Sequence, residues 1–128
     1  GANIDGKPFV HQRARVQIPW NLTLRHRSCL GDGAHAYSLG KIVLGKRCTI
    51  AQEAYLCAGT HDFHDSALPL VIGTINIGND AFVGARAFLL PDVTIGEGAI
   101  VGACSVVTGD VDANSVVAGN PARKIRAR

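Results

Sequence analysis

His61, Asp62, His64 and Asp65 stand within five residues of one another, two imidazoles three places apart with a carboxylate after each. An imidazole titrates near neutral pH, so it can take a proton from a hydroxyl in a transition state and give it back. The same spacing is tolerable for a divalent metal, although two histidines are an incomplete ligand set. The remaining histidines, His11, His26 and His35, fall far upstream and could join them only through the fold. A solvated loop histidine with no role is the third reading. Cys29, Cys48, Cys57 and Cys104 occur singly, without a CxxC pair, and read as reduced, mostly packing thiols rather than a disulfide framework. The last six residues hold Arg123, Lys124, Arg126 and Arg128, four cations in a chain whose net charge is only +3. The basic character therefore belongs to this tail, and nucleic acid is not an expected partner.

The elements that must hold these residues follow from a period of six. From Ile77 onward Ile77, Val83, Leu89, Ile95, Val101 and Val107 put a branched aliphatic in every sixth place. Upstream the same phase runs in blocks of three: Ile4, Val10, Val16; Leu24, Leu30, Ala36; Leu44, Ile50, Leu56. Fourteen of these fifteen positions are Ile, Val or Leu, types that fill 32 of 128 places, where chance would put about four. Six is neither the helix period nor a plain strand alternation, so the unit is a short strand and a turn. Three units close one turn of a three-sided prism, and five turns at strand spacing make a parallel β rod about 24 Å tall. The steps of eight between blocks push residues such as Pro19 and Trp20 outward at a corner. Cys57 to Thr74 breaks the pattern and reads as a loop leaving the rod, about 57–74. A basic segment, about 117–128, closes the chain as helix or extended strand.

The tandem [LIV]-G-x-x-x-x units, the segment CAGTHDFHD, the segment IPWNLTL and the ending VVTGDVDANSVVAGNPARKIR resemble the hexapeptide-repeat acyltransferases over essentially the whole chain. The nearest branch is that of the colanic acid biosynthesis acetyltransferases, with galactoside, maltose and nodulation-factor O-acetyltransferases close by. The resemblance implies an all-β fold, a left-handed parallel β-helix. It also implies a homotrimer and acetyl-CoA as acyl donor in a groove between subunits. The left hand comes from the resemblance alone, because parallel crossovers are generally right-handed.

His61 matches the family's loop histidine, which implies a general base for a sugar or glycan-precursor hydroxyl attacking a thioester. Asp62, His64 and Asp65 are expected to orient an imidazole or contact the acceptor. Ser38 stands where several relatives carry Asn, and a hydroxyl there can still serve an acceptor. Tyr37 and Trp20 either face a sugar ring or pack against a neighbour. By family position Phe82, Ala103 and Thr108 line the cofactor groove, with Gly84, Ala85 and Gly102 allowing its close approach. Arg123 and Arg126 match a basic pair suited to CoA phosphates; the alternative is a frayed tail. Two other classes stay open: a carbonic anhydrase of the kind that uses this rod with metal-binding histidines, and a purely structural rod. No metal is expected in the acyltransferase reading.

Composition bounds the rest. With 128 residues, 47% hydrophobic and 18% charged, the chain reads as one folded domain over 1–128. Aromatics at 5% leave a core of small and branched aliphatic side chains. No apolar run approaches the roughly 18 residues of a membrane span, and no leader is expected. A soluble, cytoplasmic enzyme is the expectation. The absence of Met implies that Gly1 is not the natural start.

Overall fold

The computed structural model describes residues 1–128. Short strands of two or three residues stack in parallel into three faces. The first face carries Asn3–Ile4, Leu22–Leu24, Ile42–Leu44, Ile75–Ile77 and Val93–Ile95. Phe9–Val10, Cys29–Leu30, Thr49–Ile50, Phe82–Val83, Ile100–Val101 and Ser115–Gly119 form the second, with Ala122–Ala127 added at its end. The third consists of Arg15–Val16, His35–Tyr37, Tyr55–Cys57, Phe88–Leu89 and Val106–Val107. Register is in phase from coil to coil: Leu24 pairs Leu44, which pairs Ile77, which pairs Ile95.

The hexad explains the core. Leu30, Ile50, Val83 and Val101 stack in one column and Leu56, Leu89 and Val107 in another, all within the 25-residue apolar cluster. Ala34, Ala54 and Ala87, buried at the corners, leave room for the chain to turn inside a narrow prism. Burying aliphatic area is the main stabilising term, worth about 1.5–3 kcal/mol for each large side chain. Many corners hold a left-handed residue that is not glycine, among them Arg27, Arg47, Glu53, Asp80, Arg86 and Cys104. Several of these side chains pair with the next coil: Arg47 with Asp80 at 2.8 Å and Arg86 with Glu53 at 2.5 Å.

Every irregularity falls on one edge, the corner between the third face and the first. Measured between core residues, that corner takes steps of eight (Val16 to Leu24), eight (Ala36 to Leu44), twenty-one (Leu56 to Ile77), six (Leu89 to Ile95) and four (Val107 to Val111). The last, contracted step carries the chain into a sixth coil, in which Val111 bridges Ile95 and Val117 pairs Val101. The sixth coil and the extended tail, paired antiparallel with Ser115–Gly119, extend the five-turn expectation. Pro19–Asn21 makes a 3-10 turn that leaves Trp20 exposed, as the step of eight implies.

Candidate functional site

The twenty-one-residue step is a β-hairpin, not an irregular loop. Gly59–His61 pairs antiparallel with Leu70–Ile72, His61 opposite Leu70. Cys57 remains in the third face, pairing with Tyr37, so the excursion starts one residue later than 57–74. Its base is closed by Gly73 N–H donating to the Ala58 carbonyl at 3.1 Å, and the Cys57 thiol donates to the Gly59 carbonyl at 3.0 Å. Glycine is required beneath it: a Cβ on Gly40 would stand 1.9 Å from the Gly73 carbonyl oxygen.

His61 is exposed at the end of the first hairpin strand. Its Nδ1 lies 2.7 Å from the Leu68 carbonyl oxygen. A carbonyl only accepts, so Nδ1 carries the proton and Nε2 presents its lone pair outward. Orientation of the imidazole thus belongs to a backbone oxygen, at a residue held at φ +49°. Asp62 and Asp65 do other work. Asp62 accepts from the His64 N–H and Asp65 from the Ala67 N–H, both at 2.9 Å, so each carboxylate caps the hairpin turn. The expectation that one of them orients an imidazole is corrected accordingly. His64 packs against Phe63, ring centroids 4.5 Å apart. No cluster of three or more His, Cys, Asp or Glu side chains gathers within the chain.

Ser38 is also corrected. It is 0% exposed; its hydroxyl donates to the Ile18 carbonyl at 2.9 Å and accepts the Ile18 N–H at 3.0 Å. Both functions of the hydroxyl are spent on joining two corners, and a buried atom cannot meet an acceptor. Asn21, not singled out by sequence, completes the clamp by donating to the carbonyls of Ser38 and Leu39 at 3.0 and 3.1 Å. Tyr37 joins an aromatic column on the third face with His35, Tyr55 and Phe88.

The groove residues divide between places. Phe82 stands outward on the second face, and Gly84, Ala85, Gly102 and Ala103 stack at the corner between the second and third faces, Cys104 N–H donating to the Ala85 carbonyl at 2.9 Å. Thr108 lies with Arg123 and Lys124 around a cleft of about 220 Å³ at the last coil. Arg123 and Arg126 are exposed on a paired strand rather than a frayed end, while Arg128 turns away to the carbonyls of Asp80 and Gly98. A larger, open cleft of about 670 Å³ in the first three coils is lined by Arg13, Asp32 and Glu53, side chains already engaged in ion pairs, and lies at a different edge from the hairpin. Within one subunit His61 and the small-residue corner occupy the two edges that bound the third face.

A three-faced hexad rod with a histidine hairpin at one edge defines a class. Residues 74–109 match the bacterial transferase hexapeptide model of six repeats. The whole chain is 38% identical to 70% of WcaF, named for colanic acid biosynthesis acetyltransferase activity, from Escherichia coli. A hexapeptide-repeat acetyltransferase from Vibrio cholerae, solved with acetyl-CoA, superposes with a TM-score of 0.91 at 22% identity, covering 96% of this chain and 69% of that one. A maltose O-acetyltransferase from Clostridium difficile gives 0.89 at 24% identity, over 98% and 68%. The chain belongs to the hexapeptide-repeat family of acetyl-CoA-dependent acyltransferases, and its solenoid is the left-handed parallel β-helix of that family.

Proposed function

We propose that the chain acetylates a hydroxyl of a sugar or glycan precursor, with His61 as general base. The observation that carries this reading is the bond between His61 Nδ1 and the Leu68 carbonyl, which fixes the tautomer whose Nε2 accepts a proton. Acetyl-CoA supplies an activated thioester. A sugar hydroxyl titrates far above neutrality, so its oxygen attacks the thioester carbon efficiently only as Nε2 takes its proton. The imidazolium, stabilised through its Nδ1–H, then returns that proton to the departing sulfur. No covalent acyl-enzyme is needed, because both substrates can meet in one complex.

The cofactor arm fits the corner where Ala85, Gly102 and Ala103 reach the surface, with Phe82 beside it; Gly84, expected to allow close approach, is buried there, and a Cβ on it would meet the Ala103 amide nitrogen at 2.7 Å, so its glycine serves coil stacking instead. Thr108, Arg123 and Arg126 stand toward the end of the rod that the phosphates would reach. His61 lies on the opposite edge of the third face, which supports a homotrimer whose sites each join the hairpin of one subunit to the small-residue corner of the next. The polysaccharide name of WcaF and the sugar acceptor of the maltose enzyme favour a carbohydrate acceptor here. Release of free CoA thiol against a panel of sugars tests the reading. Thiol release with no sugar but with amine acceptors would replace the hydroxyl by nitrogen, and release with neither would remove the assignment.

A further inference from the structure

Charge is distributed unevenly along the rod in a way the catalytic reading does not use. Residues 1–48 hold eight Lys or Arg against two Asp, residues 49–122 one Arg against eight Asp or Glu, and the last six residues four cations. Within the first three coils the cations gather at the corner between the first and second faces. Lys7 stands there in the first coil, Arg25 and Arg27 in the second, Lys46 and Arg47 in the third, all exposed. Arg47 is paired with Asp80, whereas Lys7, Arg25, Arg27 and Lys46 have no carboxylate within ion-pair distance. Coil spacing places these four within about 10 Å along the axis. Like charges at that spacing repel, and nothing in the core or in the proposed site requires them. Phe9, 59% exposed on the second face, stands two residues after Lys7.

We propose that this basic edge docks on the surface of a bilayer carrying anionic headgroups. The chemistry selects that partner. Several unpaired cations over a short span suit a surface of phosphates, and a flanking exposed phenylalanine suits the apolar layer beneath headgroups. A nucleic acid would instead want a helix or ribbon to enter a groove, or aromatic platforms between the cations for bases. The edge is a row of tight turns with no Phe, Tyr or Trp among the four cations. The acidic remainder of the rod is repelled by the same surface, and the hairpin, which leaves the third coil at the edge between the third and first faces, stands on a different edge from the docked one. This inference is independent of acetyl transfer, and its test needs no acetyl-CoA.

The test is co-sedimentation with vesicles of equal parts phosphatidylglycerol and phosphatidylcholine, compared with phosphatidylcholine alone. Binding to the anionic vesicles only, weakening as salt rises from about 0.1 to 0.5 M, is expected. Replacing Lys7, Arg25, Arg27 and Lys46 together by Gln should lower partitioning about 10²- to 10³-fold while leaving melting and acetyl-CoA binding as they were. Should that variant fail to fold, Lys7→Gln with Lys46→Gln should still lower partitioning about tenfold or more. Four results overturn the proposal: no anionic binding at low salt, unchanged binding by the edge variants, loss only when Arg123, Lys124 and Arg126 are replaced, or preference for duplex DNA over vesicles at equal phosphate.

Discussion

His61 acts, in the proposed mechanism, through Nε2, while its other ring nitrogen is held by a backbone oxygen. Because the Leu68 carbonyl holds Nδ1–H, the reactive nitrogen is fixed before any substrate arrives, which saves the step of selecting a tautomer. His61→Ala should lower kcat by about 10² to 10⁴ with little change in acetyl-CoA affinity, since the base acts on the acceptor. His64→Ala should cost less, and steady-state kinetics on both variants decides between them. The cysteines separate by environment in the same residue-by-residue way. Burial pushes the Cys48 thiol up to about 12, helped by neighbouring Cys29, so at pH 8 it is almost entirely protonated and unreactive. Cys104 is exposed at its corner. Mass spectrometry after iodoacetamide at pH 8 should find Cys104 alkylated first and Cys48 only after denaturation; early loss of the Cys48 thiol would show that the prism opens readily.

At the scale of elements, the hairpin is only as well placed as the coils beneath it. A Cβ on Gly40 meets backbone, the Gly73 carbonyl oxygen at 1.9 Å, while one on Gly59 meets the flexible end of Leu39 at 2.7 Å. Gly40→Ala should therefore cost about 2–4 kcal/mol and lower kcat, whereas Gly59→Ala should cost about 1 kcal/mol or less as Leu39 shifts. Urea titration and kcat on the pair check the ordering. The C-terminal strand makes a second prediction. Arg123→Gln with Arg126→Gln should raise KM for acetyl-CoA tenfold or more and leave that of the acceptor nearly unchanged, because Arg123 beside the last-coil cleft and Arg126 further along the same strand are exposed cations that suit phosphate rather than sugar. Unchanged CoA affinity would reduce the strand to a capping role.

What was legible in the sequence at this scale was whatever repeats. Leu44, Ile50 and Leu56 announce their faces because every coil asks the same of the same position. The antiparallel pairing of Ala122–Ala127 was not, since ARKIRA lies outside the hexad and its partner is set by where Asn120–Pro121 turns the chain. Nor was the contracted step from Val107 to Val111, which hides one coil from a strict count of six. His61 is singled out by its resemblance, and the oxygen that orients its ring belongs to the main chain, where any residue at 68 could supply it. Ser38 was singled out for standing where several relatives carry Asn, and a position in the chain says nothing of the burial and the two bonds to Ile18 that occupy its hydroxyl.

For the whole molecule the remaining question is what covers the third face. Its outward side carries His35, Tyr55 and Phe88 in a continuous column, with centroids 4.7 and 5.0 Å apart and the last two rings nearly parallel, and Tyr37 beside them. The outward residues of the first face are mostly polar: Asn3, Thr23, Asn76 and Thr94. Desolvation holds the His35 imidazole below its usual range, aided by Arg15, so near neutral pH this column adds little charge and suits burial. If third faces turn toward a common axis, the hairpin edge of each subunit meets the small-residue edge of the next. Such a head-to-tail contact closes as a ring of three for a prism-shaped subunit. Light scattering after gel filtration should then give about 40 kDa, three chains of 13.4 kDa. Tyr55→Asp or Phe88→Asp would place a carboxylate in each of three equivalent contacts, shift the mass toward the monomer and abolish acetyl transfer together. A stable monomer that keeps full activity would mean that His61 reaches a cofactor on its own subunit, against the placement of the two edges.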